Sequence, residues 1–295
     1  MYARSLGLQS HLKMNKTNKF PQNPGPIGIF DSGYGGLTIL RQIRSLMPQY
    51  DYLYLGDNAR APYGTRSFDI VYEFTLQAVR YLFEQGCHLV ILGCNTASAK
   101  ALRSIQQNDL PQMDSQRRVL GVIRPTVEVV GDISHSRHVG IMATMGTIRS
   151  ATYDLEIAKL HPDIKVTGEA CPMWVPLVEN DEYDGLGADY FVKKNIDSLL
   201  TRDPQIDSVI LGCTHYPLLL NKIRKYMPSG VHVIEQGFYV ANSLQDYLKR
   251  HQEMAERITC GGSTRFLTTE QAEAFQCKAT AFMGESLTAK RVYLE

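Results

Sequence analysis

From residue 27 onward, short apolar runs alternate with longer stretches whose apolar residues recur every three or four positions. This alternation marks βα units, in which parallel strands are joined by crossover helices. IGIF (27–30) and YLYL (52–55) read as the first two strands. Between them Leu37, Leu40, Ile43, Leu46 and Met47 form one helical face, which Pro48 ends. From Ser67 to Gln85, the side chains of Phe68, Val71, Thr75, Leu76, Val79, Leu82 and Phe83 share a side, and Gly86 closes the helix. HLVIL (88–92) is a buried strand running into Gly93-Cys94. VLGVI (119–123), HVGIMA (138–143), IKVTG (164–168), SVIL (208–211) and VHVIE (231–235) continue the strands. Helices are expected over 147–160 and 187–200, and after 235 to near Arg250.

Two strands end alike. LVILGCNTASA carries Cys94, and SVILGCTHYPL carries Cys213, 119 residues later. Each thiol falls at a strand-to-helix turn, where a side chain projects beyond the carboxyl end of a sheet. Two thiols presented in the same way suit an acid and a base of one kind on opposite faces of one substrate, as racemisation requires. The repeated segment also suggests two related halves with a cleft between them. No repeat of solenoid length is present.

The neighbours of the two cysteines are polar. Asn95 and Thr96 follow one, Thr214 and His215 the other. An amide, hydroxyls and backbone N–H groups near a helix start can cradle a carboxylate. His215 is placed as a proton partner for Cys213, and Asp31 is the matching group for Cys94. FDSGYGG (30–36) brings Asp31 and Ser32 to the end of the first strand, but it is not G-x-G-x-x-G, and the chain has no G-x-x-x-x-G-K-[ST] loop. The polar loop GDNARAPYGTRS (56–67) brings Asp57, Tyr63 and Gly64 to the same edge. Two other readings compete. A cysteine hydrolase would use Cys213 as nucleophile and His215 as base, leaving Cys94 without a task. A non-catalytic lobe pair would only grip an amino acid.

Composition narrows the class. The chain has 295 residues, 44% hydrophobic and 21% charged, with a net charge of +1, as expected for a soluble globular protein. That balance gives no reason to expect nucleic-acid or membrane binding, and no apolar run approaches the roughly 20 residues of a membrane helix. The six cysteines form no C-x-x-C pair and no Cys/His cluster with zinc-ligand spacing, so reduced thiols in a cytoplasmic protein and no metal are expected. Cys87, Cys171, Cys260 and Cys277 read as small buried residues. Over residues 1–25, Arg4, Lys13, Lys16 and Lys19 meet no acid, and Pro21, Pro24 and Gly25 follow. Without the apolar core of a secretory signal, this segment reads as a disordered or regulatory extension, with an organellar presequence as the alternative.

Five motifs in order, FDSGYGGLTIL, GDNARAPYG, LGCNTASA, VPLVEN and LGCTHYP, resemble the glutamate racemases of the aspartate/glutamate racemase superfamily. The resemblance runs from about residue 26 to 250 and more weakly to the end. It implies two Rossmann-like α/β lobes with parallel sheets related by pseudo-twofold symmetry: residues 26–121 plus 236–295, and residues 122–235. It also implies cofactor-independent, two-base interconversion of L- and D-glutamate in the interlobe cleft, supplying D-glutamate for peptidoglycan. Aspartate is the alternative substrate.

By the same resemblance, Cys94 takes the α-proton of D-glutamate and Cys213 that of L-glutamate, assisted by Asp31 and His215. Ser32, Asn95, Thr96 and Thr214 match residues holding the amino and α-carboxylate groups. The backbone of Tyr63 and Gly64, with Thr144 and Thr147, matches the site for the side-chain carboxylate. Asp57 and Glu179 match acidic residues nearby. A homodimer, and activation by a cell-wall precursor, are further implications. No motif contains the lysine a pyridoxal phosphate Schiff base needs, although Lys100 follows the first cysteine, so no cofactor is expected. The chain departs from the family in carrying Glu235-Gln236-Gly237 where many members have Asp-Ser-Gly, and in carrying Arg124 in GVIRPTVE.

Overall fold

The computed structural model describes residues 20–295. Its ten strands are β1 (Ile27–Asp31), β2 (Tyr52–Gly56), β3 (Leu89–Leu92), β4 (Arg118–Gly121), β5 (His138–Ala143), β6 (Lys165–Ala170), β7 (Ser208–Gly212), β8 (His232–Ile234), β9 (Thr264–Thr268) and β10 (Ala289–Arg291). They form a six-stranded sheet, β10-β9-β2-β1-β3-β4, and a four-stranded sheet, β6-β5-β7-β8. Every pairing is parallel. β1, β2, β3 and β7 are buried along their whole length, which is why they read as continuous apolar runs rather than as alternation.

The core of the first sheet and the whole of the second share one order. Numbered within each half, both run 2-1-3-4. The reversal of strand order between the first and third strands leaves a crevice beyond their carboxyl ends. In the first sheet that crevice lies between the ends of β1 and β3, which lead to Asp31-Ser32 and Cys94. In the second it lies between the ends of β5 and β7, which lead to Thr144 and Cys213.

Local structure follows the sequence in most places. Helix Phe68–Glu84 starts at Ser67, whose Oγ accepts from the Ile70 N–H at 3.4 Å, and stops at Gly86 with φ +91°. Three expectations need correction. Cys87 and Cys171 are buried, but Cys260 and Cys277 are exposed. The strand expected over 119–123 ends at Gly121, and Ile123 already opens helix Ile123–Ile133, which carries the chain towards the second sheet. The single helix expected over 147–160 is two, Met145–Arg149 and Thr152–Leu160, broken at Ala151 with φ +51°. Hydroxyl groups compete with the helix ladder there. Ser150 donates to the Thr147 carbonyl at 2.6 Å, and Thr152 donates across to the Ala99 carbonyl at 3.1 Å.

Residues 20–25 are fastened to a helix and to loops around the first sheet. Phe20 packs edge-on against Phe83 with ring centres 5.6 Å apart, the buried Arg117 donates to the Pro21 carbonyl, and Gly25 bridges to Ile258. The remainder of the expected extension lies outside the described residues. Among the described residues, no helix is long and apolar enough to cross a membrane, and no three His, Cys, Asp or Glu side chains gather as metal ligands would.

Candidate active site

The two cysteine turns open onto one cavity of about 110 Å³, room for a single small metabolite. Of the residues picked out from the sequence, Ser32, Tyr63, Gly64, Cys94, Asn95, Thr96, Thr144, Glu179, Cys213, Thr214 and His215 line it. Asp31, Asp57 and Thr147 do not.

Cys94 caps helix Asn95–Lys100, its sulfur 3.5 Å from the Ala97 N–H. Its side-chain hydrogen-bond partner is Ser32, with Oγ 3.4 Å from Sγ. Asp31 makes no such bond to the thiol. One of its carboxylate oxygens accepts from the Gly33 N–H at 2.8 Å, the other from Thr214 at 3.4 Å. Burial, and then the charge of Asp31, push the Cys94 thiol up to about 12. Burial also raises the carboxyl of Asp31 itself, against the pull of His215.

Cys213 has a different setting. His215 Nδ1 lies 3.9 Å from its sulfur, and His215 Nε2 lies 3.0 Å from Glu179 Oε1. Burial alone would push the imidazole down, but bonding to Cys213 and Glu179 outweighs it and raises the ring to about 10. Conversely, burial would raise Glu179, yet the bond to His215 and its charge hold the carboxyl below its ordinary range. The imidazole is thus held between the sulfur and the Glu179 carboxylate.

The threonines meet across the lobes. Thr96 Oγ1, from the first half, lies 3.0 Å from Thr144 Oγ1 and 3.4 Å from Thr147 Oγ1, and the latter two are 3.1 Å apart. Close approach of backbones allows this contact. The Gly146 N–H donates to the Gly64 carbonyl at 2.8 Å. On the other flank, a Cβ on Gly35 would stand 2.3 Å from Thr214 Oγ1 and 2.6 Å from His215 Nδ1. Only glycine lets the second cysteine turn lie against the first lobe.

Asp57 is buried under the loop it begins. It accepts from Arg60 Nε at 2.7 Å, from Thr269 Oγ1 at 2.9 Å, and from the Tyr63 hydroxyl. It thus sets the loop that carries Tyr63 and Gly64. Lys100 donates to the Arg66 carbonyl at 2.6 Å at the far end of the same loop.

The sequence left several wall residues without a role. Pro172, Val175 and Pro176 give the cavity an apolar side, with Cys171 beside them. VPLVEN contains two of these, but only the structure turns them inwards. A cysteine–histidine–glutamate series on its own would also serve a thiol nucleophile. Cys94 on the same cavity wall is what that reading cannot employ.

Known proteins are similar to this chain in sequence and fold. The family model described as "Asp/Glu/Hydantoin racemase" matches residues 37–238. A glutamate racemase of Ruegeria sp. (strain TM1040) is 40% identical over 272 residues, covering 89% of this chain and 98% of its own. The crystal structure of glutamate racemase isoform RacE1 from Bacillus anthracis superposes with a TM-score of 0.83 at 32% identity, covering 92% of this chain and 98% of that one. That of the Francisella tularensis glutamate racemase in complex with D-glutamate gives 0.82 at 31% identity over the same shares.

Proposed function

We propose a residue-level mechanism from one premise: the chain belongs to the Asp/Glu/hydantoin racemase family and interconverts L- and D-glutamate. The observation that carries the mechanism is that Cys94 and Cys213, from equivalent turns of two sheets, line one cavity.

The α-proton of an amino acid is very weakly acidic, so a thiolate needs help to remove it. The cavity supplies position, exclusion of water and hydrogen bonds aimed at the developing charge. Asn95, Thr96, Thr214 and Ser32 hold the amino and α-carboxylate groups. Tyr63 and Gly64 of the Asp57 loop, with Thr144, hold the side-chain carboxylate, and Thr147 acts through its contacts with Thr144 and Thr96. Glu179 positions His215, and Asp31 acts on Cys94 through its charge.

In the L-to-D direction the Cys213 thiolate, paired with the His215 imidazolium, takes the α-proton. The C–H bond breaks and an S–H bond forms. The Cys94 thiol then gives its own proton to the opposite face of the carbanion and is left as thiolate. Charge is conserved, and the free enzyme regains its starting state when the two sulfurs exchange protonation. The D-to-L direction runs the same steps from the other side. Because thiolate, thiol, Asp31 and His215 interact, their titration belongs to the group.

Several finer readings belong to this proposal. The lobes comprise residues 26–121 plus 236–295, and residues 122–235. D-Glutamate from this reaction enters peptidoglycan, the enzyme is cytoplasmic, and it works as a homodimer. A cell-wall precursor acts as activator. A separate groove of about 580 Å³ beside helix Ile123–Ile133 carries Arg103, Arg124, Lys159 and Arg250 together with Glu128 and Glu156, which pair with Arg124 and Lys159.

The test is incubation of the purified protein with L-glutamate or L-aspartate in heavy water without added cofactor, following optical rotation and α-deuteration. Racemisation of glutamate with solvent deuterium in the product is expected. An acyl-enzyme on Cys213 without α-exchange would instead establish the hydrolase.

A further inference from the structure

Gln236 opens helix Gln236–Arg250 directly after β8, and it is buried. Its Nε2 donates to the Val122 carbonyl at 3.0 Å and to the Tyr153 hydroxyl at 2.9 Å, with the Thr126 hydroxyl at 3.3 Å. Its Oε1 accepts from Asn95 Nδ2 at 2.6 Å. The Tyr153 hydroxyl in turn donates to Asn95 Oδ1 at 2.8 Å. Asn95, Tyr153 and Gln236 thus close a ring of three hydrogen bonds, with Asn95 forming part of the cavity wall.

The ring has a direction, and one backbone group sets it. A carbonyl oxygen can only accept, so Val122 requires the NH₂ end of Gln236. The remaining end of Gln236 is then an acceptor, which requires the NH₂ end of Asn95. Tyr153 accepts from Gln236 and so must donate to Asn95 Oδ1. Burial holds the phenol proton of Tyr153 well beyond its ordinary range, so that donor is always present. With one N–H given to Gln236 and Oδ1 drawn to the Tyr153 hydroxyl, Asn95 has one N–H left to offer the cavity. A carboxylate needs that polarity and would be repelled by the reverse.

The ring also sits where the chain crosses between the sheets. β4 ends at Gly121 and β8 at Ile234, so Val122 and Gln236 stand at the start of the outward and the return crossing. Their hydrogen bond ties both crossings to Asn95.

We propose that Gln236 is a positioning residue for glutamate racemisation, fixing through its bonds to Val122, Tyr153 and Asn95 which end of the Asn95 amide faces the substrate carboxylate. The inference rests on the reading of Asn95 as a carboxylate contact. Gln236→Leu removes both ends of the clamp. Tyr153→Phe keeps the buried ring and removes the hydroxyl that accepts from Gln236 and donates to Oδ1, so it remains informative if the leucine variant folds poorly.

The experiment measures kcat/KM by circular dichroism for Gln236→Leu, Tyr153→Phe, Asn95→Ala and the two pairwise combinations with Asn95→Ala. Each single substitution is expected to cost about tenfold or more. Neither Gln236→Leu nor Tyr153→Phe is expected to cost more than about twofold once Asn95 is alanine. A merely structural role would lower activity equally in both backgrounds, and that result overturns the proposal. So does wild-type activity in Gln236→Leu and Tyr153→Phe while Asn95→Ala is impaired. Wild-type activity in Asn95→Ala itself would remove the carboxylate contact, and this inference with it.

Discussion

Glu179 Oε1 and His215 Nε2 lie 3.0 Å apart, and the other ring nitrogen of His215 faces Cys213. The carboxylate fixes the ring and sustains its charge. In Glu179→Gln a neutral amide replaces it, so His215 loses its proton at lower pH, and the alkaline limb of kcat/KM moves down in pH. L- and D-glutamate have equal free energy, so kcat/KM must fall equally in both directions, and any asymmetry appears in kcat and KM separately. Optical-rotation assays from both enantiomers across the alkaline range check this, and an unmoved limb excludes the role given to Glu179.

The same pair links stability to pH. His215 is raised from 6.5 to about 10 in the folded chain. A raised group contributes stability that is complete below its unfolded value and is lost as pH rises through the folded one. Glu179 is lowered, so its contribution is present above its unfolded value and fades in acid. The melting-temperature gap between wild type and His215→Gln is therefore expected to narrow between about pH 6.5 and about pH 10. A gap that widens over that window would reverse the sign and refute the assignment of charge.

Cys94→Ser and Cys213→Ser each remove one acid–base group. Each is expected to lower racemisation by about 10²–10⁴-fold with little change in melting temperature. Full racemase activity in either variant would end the two-base mechanism.

Gly35→Ala tests the close approach of the lobes. Its Cβ would overlap Thr214 Oγ1 and His215 Nδ1, neither of them the free end of a long side chain. The cysteine turns must separate, so activity is expected to fall by about 10²-fold and stability by about 1–3 kcal/mol. Wild-type kinetics in this variant would show that the interlobe contact is not needed for turnover.

Asp57→Asn leaves Arg60 facing a neutral amide and disturbs the bonds from Tyr63 and Thr269. A loss of about 3 kcal/mol is expected, with a raised KM because the loop carries Tyr63 and Gly64. Denaturant titration and steady-state kinetics measure the two effects. An unchanged KM would detach the loop from substrate binding.

The parts legible in the sequence are those fixed by near neighbours. The eight strands up to residue 234 announce themselves as apolar runs, and the cysteine turns as glycine-cysteine endings with small polar residues behind them. The polar partners of those turns are less readable because they come from far along the chain. Nothing local pairs Asn95 with Gln236, 141 positions on, or Asp57 with Thr269, 212 positions on. Asp31 stands next to Cys94 in the fold, yet Ser32, one position later on the extended chain, reaches the sulfur. β10 carries no signal either: Ala289, Lys290 and Arg291 form a short, largely exposed edge, without the alternation a half-buried strand would show.

The shared strand order of the two sheets has a consequence for handedness. A chain of L residues cannot fold into the reflection of its own pocket, so no part of this molecule is enantiomorphic to another. Rotation suffices because the deprotonated carbon flattens, and a half-turn about an axis in that plane exchanges its two faces. Two halves of the same hand, turned towards each other, can therefore treat opposite enantiomers alike.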